Sequence, residues 1–321
     1  MNSGVIFLHT FARLSRMPSS QPGHFLHPDL LRSLSNIELK ARVLVEGMYA
    51  SRHRSPFYGQ SVEFVDHREY APGDEPKRID WKMLARTEKY FVKRFEMESN
   101  MNVVTLLDRS GSMGYEPSDQ ARLGKLTYGS YLSAALAFLV NRQQDAAGLV
   151  TFGGDIDRFV PPQQGERHLR TLFSTLEDVA AEGQTGVREV LDSVAERLPG
   201  RGIVVLISDC YGEPEATIEG VRHLVARGQD VIVFHLLDHD EVTFPFKALT
   251  SFRDMESGRE VMSDPLKQRN EYLERLEEFR QEMRDGVTGA GADYRFIDTV
   301  EPLETVLRDY LLHRSQMMRR R

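Results

Sequence analysis

Three almost entirely apolar runs of residues constrain the fold of this chain more than any other feature. They cover residues 103–107, 203–208 and 231–236, and Asp108 and Asp209 directly follow the first two. A strand that is apolar along its whole length is covered on both faces, which is typical of parallel sheets. Helical patterns separate the runs. The sequence therefore predicts an α/β fold, with a doubly wound, mostly parallel sheet between two layers of helices.

Local periodicity predicts the remaining elements. Apolar residues at helical spacing predict a first helix over residues 28–49, and shorter patterns predict strands at 62–70 and 90–95 around a short helix at 79–84. Further helices are predicted at 123–142, 164–181, 186–197, 213–227, 265–287 and 302–312. Further strands are predicted at 148–152 and 293–297, with an edge strand at 157–161 and a two-stranded ribbon from 244–252 and 259–262.

These elements predict four segments along the chain. Residues 1–27 contain a Pro/Ser/Gly-rich stretch that predicts a disordered leader, with Met1 or Met17 as the translation start. Residues 28–99 are expected to form an N-terminal helix and a small β-containing subdomain. The doubly wound domain with its C-terminal helical additions is expected to cover residues 100–315, followed by a basic tail at 316–321.

Composition excludes several classes of protein. The 41 Lys and Arg against 48 Asp and Glu give a net charge of −7, which argues against a nucleic-acid-binding protein. Cys210 is the only cysteine, so an intramolecular disulfide framework and a Cys-based zinc site are excluded. No run approaches the ~20 apolar residues of a membrane span. We therefore expect a cytoplasmic protein without a membrane span.

The residues after the apolar strands predict a metal site. Asp108-Arg109-Ser110-Gly111-Ser112 follows the first strand, and its carboxylate and two hydroxyls lie at alternate positions. Thr185 lies at the start of a helix, and Asp209 follows the second strand. Ligands of open parallel sheets bind beyond the carboxyl ends of the strands, and Mg²⁺ prefers oxygen ligands. The alternatives are that Asp108 caps a helix, or that the loop keeps its shape without binding metal.

The same pattern resembles the metal-ion-dependent adhesion site of von Willebrand factor A domains, over roughly residues 100–240. The resemblance implies one Mg²⁺ or Mn²⁺ that is bound or oriented by Asp108, Ser110, Ser112, Thr185 and Asp209. It also implies that a carboxylate from a partner protein completes the ligand shell.

A second resemblance covers more of the chain. Residues 59–64, Arg68-Glu69-Tyr70, Pro72-Gly73-Asp74 and residues 78–81 resemble the bacterial family of domain of unknown function fifty-eight, in which such a segment precedes a von Willebrand factor A-like region. The resemblance implies a non-enzymatic partner of a MoxR-type AAA+ ATPase that helps to mature, remodel or metal-load a client protein.

An enzymatic function remains the alternative, as a metal-dependent hydrolase or phosphatase. Catalytic metal sites usually pair the ion with a base or a nucleophile, and no His or Glu lies close in sequence to Asp108. The chain also lacks a phosphate-binding loop of the Gly-x-x-x-x-Gly-Lys-Ser/Thr type. His235 and Cys210 are expected to be buried core residues without a chemical role.

Overall fold

The computed structural model describes residues 36–52, 67–69, 90–93, 101–184, 186–198, 200–248, 250–253, 255 and 260–320. The predicted leader at 1–27 and most of the predicted N-terminal subdomain, including the helix at 79–84, lie outside these residues.

In chain order, the described strands are β1 His67–Glu69, β2 Phe91–Lys93, β3 Asn102–Asp108, β4 Ala146–Phe152, β5 Ile156–Gln163, β6 Gly202–Ser208, β7 Asp230–Leu237, β8 Thr250–Arg253, β9 Glu260–Ser263 and β10 Asp293–Asp298.

The described α-helices are α1 Ile37–Arg52, α2 Lys125–Arg142, α3 Glu166–Glu177, α4 Val187–Arg197, α5 Pro214–Ala226, α6 His239–Thr243, α7 Pro265–Gly289 and α8 Leu303–Arg320. Helix α6 has no counterpart among the predicted elements. Helix α3 is shorter than predicted, whereas α8 continues past residue 312 into the basic segment. Among the described residues, no helix has both the length and the apolar character that crossing a bilayer requires.

Six strands form one mostly parallel sheet in the order β10-β7-β6-β3-β4-β5. Within this sheet of the described residues, only β4 and β5 pair in antiparallel orientation. The strand order ends at β5, which confirms β5 as an edge strand. The pairs β1–β2 and β8–β9 form separate two-stranded ribbons. The predicted doubly wound, mostly parallel sheet is therefore confirmed by the strand order and the strand directions.

Helices cover both faces of this sheet. One core contains residues of α1, α2, α3 and α8, and the other contains residues of α4, α5 and α7. Strand β3 shows why its central residues are almost all apolar: Val103 and Leu107 pack in the first core, whereas Val104 and Leu106 pack in the second. Helix α7 packs against α5 and the edge strand β10, as predicted for a helix that covers an edge of the sheet.

Candidate metal centre

The predicted ligands come from the carboxyl ends of two neighbouring strands. Asp108 is the last residue of β3, and Asp209 directly follows β6, which pairs with β3 in parallel. Asp108, Ser110 and Asp209 are completely buried, and Ser112 is partly buried. After β3 the chain adds β4 and β5 on one side and returns to add β6 on the other, so this edge is the switch point at which open α/β sheets bind ligands.

Hydrogen bonds hold the Asp108 carboxylate in place. Its Oδ1 accepts from the backbone N–H of Ser110 at 2.8 Å, and its Oδ2 accepts from the Ser208 hydroxyl at 2.5 Å. The Ser208 oxygen in turn accepts from the backbone N–H of Cys210 at 2.8 Å. The hydroxyl oxygens of Ser110 and Ser112 lie 3.1 Å apart. The two hydroxyls therefore converge, as their alternate positions in the sequence predict.

The two aspartates affect each other electrostatically. Burial, and after it the negative charge of Asp209, raises the pKa of Asp108 from 3.8 to about 7. The hydrogen bonds from Ser208 and Ser110 oppose this rise because they stabilise the ionised form. The pKa of Asp108 stays raised because burial and the charge of Asp209 together outweigh these hydrogen bonds.

Sequence reasoning missed a buried lysine in this centre. The Nζ of Lys125 lies 2.8 Å from Asp209 Oδ2 and 2.8 Å from Glu241 Oε1, and its side chain is fully buried. Burial alone would lower the pKa of Lys125, but the charges of Asp209 and Glu241 raise it above its ordinary value. A signal existed, because a lysine in the first turn of a helix is unfavourable near the positive end of the helix dipole.

Glu241 is also a residue that sequence reasoning missed. It belongs to the capping box of α6, in which its Oε2 accepts from the backbone N–H of Asp238 at 2.7 Å. The spacing Asp238-x-x-Glu241 is the sequence signal of such a box. The other carboxylate of this helix, Asp240, accepts from Arg122 at 2.5 Å and from the Ser118 hydroxyl at 2.7 Å. These contacts attach helix α6 to residues 118–122, which lie between the loop with the two serines and α2.

Backbone hydrogen bonds join the loop with the two serines to the loop around residue 185. Gly111 N–H donates to the Gly183 carbonyl at 2.9 Å, and Glu182 N–H donates to the Arg109 carbonyl at 2.8 Å. Thr185 itself lies outside the described residues. Of its described neighbours, Gly183 contacts the loop with the two serines through Gly111, whereas Gly186 N–H donates to the Gly153 carbonyl, just after β4, at 3.1 Å. The metal-binding role of Thr185 stays a prediction.

The β8–β9 ribbon also reaches the serine-containing loop. The backbone carbonyl of Met255, between these strands, approaches Gly111 so closely that a Cβ at position 111 would lie 2.6 Å from the carbonyl oxygen. The Met255 side chain is half exposed. The ribbon therefore covers part of the loop and requires glycine at position 111.

The donor set suits a hard cation. Within the part of the chain that the structure describes, no group of three or more His, Cys, Asp or Glu side chains could hold a metal ion. The predicted site does not depend on such a group, because only Asp108 and Asp209 are carboxylates and the other donors are hydroxyls. Mg²⁺ keeps several waters and takes only one or two carboxylates, so this composition fits it.

His235 and Cys210 are both buried, as predicted. Burial lowers the pKa of His235 to about 4, so the imidazole is neutral, and its Nδ1 lies 2.7 Å from the Tyr294 hydroxyl. Burial, and after it the charge of Asp209, raises the pKa of the Cys210 thiol far above its ordinary value. The thiol is therefore protonated and unsuited to act as a nucleophile.

A family model matches residues 66–282, more than half of the chain, and its description is "Protein of unknown function DUF58". The chain belongs to the DUF58 family. A curated protein similar to this DUF58 chain is the Uncharacterized protein Rv1480 of Mycobacterium tuberculosis, which is 26% identical over 281 residues, or 86% of each chain. The Uncharacterized protein YeaD of Bacillus subtilis is 28% identical over 109 residues, which are 34% of this chain and 24% of YeaD.

Solved structures with a similar shape include von Willebrand factor A domains. BatB from Bacteroides thetaiotaomicron has a TM-score of 0.49 at 16% identity, and the match covers 68% of this DUF58 chain and 99% of BatB. The SpRpn10 VWA domain has a TM-score of 0.36 at 10% identity, with coverage of 65% and 94%. Because both TM-scores lie below 0.5, the fold class rests on the strand order and strand directions of this chain itself.

Proposed function

We propose that this DUF58 protein is a metal-dependent protein-interaction module. In this proposal Asp108, Ser110, Ser112, Thr185 and Asp209 hold one Mg²⁺ or Mn²⁺ at the carboxyl edge of the sheet. The observation that carries the proposal is that two buried carboxylates, Asp108 and Asp209, lie at the ends of neighbouring parallel strands, and that the Ser110 and Ser112 hydroxyl oxygens after the first strand lie 3.1 Å apart.

A charge count around the centre supports a divalent cation. The carboxylates of Asp209 and Glu241 contact the ammonium of Lys125, and the charge of Asp209 also acts on the carboxylate of Asp108. With these four groups ionised, 1 − 3 gives a charge of −2. Buried charge without compensation is costly, and a divalent cation supplies two positive charges. When bound, such a cation offers an open position to a carboxylate oxygen. Ser110 and Ser112 contribute neutral oxygens, so the ion would keep enough positive charge to attract that carboxylate.

The proposed partner is a MoxR-type AAA+ ATPase, a client protein that offers a carboxylate, or both. Support comes from the sequence resemblance and from membership of the DUF58 family. We place the protein in the cytoplasm, where a single buried thiol fits a reducing compartment. We assign it no nucleic-acid partner and no catalytic activity.

Calorimetry with Mg²⁺ and capture of a MoxR-type AAA+ ATPase from the same organism test the proposal. Wild-type protein is expected to bind one Mg²⁺ and to retain the partner only when Mg²⁺ is present. Asp108→Ala and Asp209→Ala should each lower both affinities at least tenfold, because each removes a charged ligand. Glu166→Ala is the control, since this exposed residue follows β5 and lies at the opposite edge of the sheet.

Two results would contradict the proposal. The first is partner capture that is unchanged in both aspartate variants and in the presence of a chelator. The second is turnover of ATP or of a generic phosphoester that disappears with Asp108→Ala, which would favour the hydrolase or phosphatase alternative.

A further inference from the structure

Lys125 occupies a position that is doubly unfavourable for an ammonium group. It is fully buried, where a charge loses its hydration, and it is the first residue of α2, near the positive end of the helix. The group stays there through two contacts of 2.8 Å, one to Asp209 and one to Glu241, and through the ring of Tyr211 at 5.0 Å from Nζ. Such a placement points to a role in the charge balance of the metal centre.

We propose that Lys125 is the internal counter-cation of the candidate metal centre and competes with the divalent cation for Asp209. This inference rests on the proposed function. The contact involves Asp209 Oδ2, while Oδ1 accepts the backbone N–H of Tyr211 at 3.2 Å. A cation that binds Asp209 therefore meets a carboxylate that is already neutralised, and Lys125 sets the affinity of the centre for that cation.

Glu241 makes this competition reversible. When Asp209 turns its charge toward a divalent cation, the ammonium keeps its second contact, to Glu241 Oε1. Glu241 is held in place because its other oxygen accepts from the backbone N–H of Asp238. Lys125 is thus never left as an unpaired buried charge.

The competition predicts opposite effects for two substitutions. Lys125→Met changes the charge of the centre from −2 to −3 and frees Asp209, so Mg²⁺ affinity should rise by about tenfold or more. Glu241→Gln changes the charge from −2 to −1 and leaves Asp209 as the remaining anion beside Lys125, so Mg²⁺ affinity should fall by about tenfold or more. Lys267→Met is the matched control, since the side chain of Lys267 is 83% exposed on α7.

Isothermal calorimetry with Mg²⁺ on the full chain measures the affinities, and thermal melting with Mg²⁺ or with EDTA provides an independent readout. Lys125→Met should melt at a lower temperature in EDTA than wild type and gain more from Mg²⁺. If Lys125→Met fails to fold in EDTA, recovery of its circular dichroism signal on adding Mg²⁺ supports the inference. Failure to recover, together with unchanged or tighter binding in Glu241→Gln, overturns it.

The outcomes separate this inference from the proposed function. If wild type binds Mg²⁺ and neither substitution shifts the affinity in the expected direction, the role of Lys125 is wrong and the metal module stands. If only Lys125→Met binds Mg²⁺, the competition is supported and the metal dependence of the wild-type protein fails. If neither wild type nor Lys125→Met binds Mg²⁺, the proposed function and the role of Lys125 are both wrong.

Discussion

Asp108 and Asp209 are both buried, but different groups compensate their charges. Asp209 contacts the ammonium of Lys125, whereas Asp108 accepts hydrogen bonds only from the neutral groups of Ser208 and Ser110 among the contacts described. Burial, and after it the charge of Asp209, raises the pKa of Asp108 to about 7. At the scale of single residues, a cation near Asp108 would therefore stabilise a buried carboxylate that the hydrogen bonds described leave without a cationic partner.

His235 is a buried histidine whose neutral form the fold selects. It lies between the rings of Phe279, Tyr294 and Phe296, with centroid distances of 5.4 to 5.8 Å. Burial lowers its pKa from 6.5 to about 4, so the unfolded chain takes up a proton at mildly acidic pH that the folded chain does not. His235 therefore destabilises the fold as the pH decreases from 6.5 to 4.

Substitution of His235 by Gln is expected to remove this pH dependence. The free energy of unfolding of wild type relative to His235→Gln should be constant above pH 6.5 and should fall by up to about 3 kcal/mol between pH 6.5 and 4. Urea denaturation at several pH values measures the difference. Asp108, whose pKa is raised, acts with the opposite sign in both proteins and cancels in the comparison. Parallel curves for the two proteins would contradict the assignment.

Among the elements, close backbone contacts keep the parts of the candidate centre in register. The Gly111 N–H donates to the Gly183 carbonyl, and the Met255 carbonyl between β8 and β9 lies against Gly111. Gly186 approaches the Gly154 backbone even more closely, so that a Cβ there would overlap it. Loops that follow different elements are thus packed backbone to backbone, and glycine is needed at positions 111 and 186.

Gly111→Ala should disturb the ribbon. The added Cβ would lie 2.6 Å from the Met255 carbonyl oxygen, and a backbone atom moves less easily than a side chain end. We expect a loss of about 1–3 kcal/mol in the free energy of unfolding, together with faster proteolysis of the β8–β9 ribbon.

Gly289→Ala is the control for this prediction, because a Cβ at the end of α7 meets nothing within 4 Å. This substitution should leave stability unchanged or raise it slightly. Equal stability and equal proteolysis of both variants would show that the ribbon does not contact Gly111.

At the scale of the whole molecule, α1 packs in the first core, although it precedes the six-stranded sheet by many residues. Leu44, Val45 and Met48 are buried among residues of α2, α3 and α8. The Ile37 N–H donates to the Glu177 carboxylate at the end of α3 at 3.0 Å. The helix therefore extends one helical layer beyond the matched family span of residues 66–282.

Leu44→Ala is expected to destabilise the whole molecule. Its side chain is fully buried, so its truncation should cost about 2–5 kcal/mol and lower the Tm by roughly 5 °C or more. Leu39→Ala, in the same helix at 39% exposure, should shift the free energy by less than about 1 kcal/mol. Calorimetric melting of both variants checks this, and equal Tm values would mean that α1 does not stabilise the sheet.

The sequence alone determined the sheet and the edge at which the candidate centre lies. Strands β3, β6 and β7 were predictable because both of their faces are buried, so almost every position between their ends is apolar. Asp108 and Asp209 were predictable as neighbours because parallel strands end at the same edge. These inferences need only local periodicity and the direction of the chain.

Only the tertiary structure revealed Lys125, Glu241 and the contact of Met255 with Gly111. Lys125 and Asp209 are separated by 84 positions, and Lys125 and Glu241 by 116. Periodicity reports whether a residue faces the core or solvent, but it does not report which distant residue lies opposite. Which residue lies opposite depends on how α2 and α6 pack at the end of the sheet. This packing places the ammonium of Lys125 beside Asp209 and Glu241, at a position where the sequence indicated only the start of a helix.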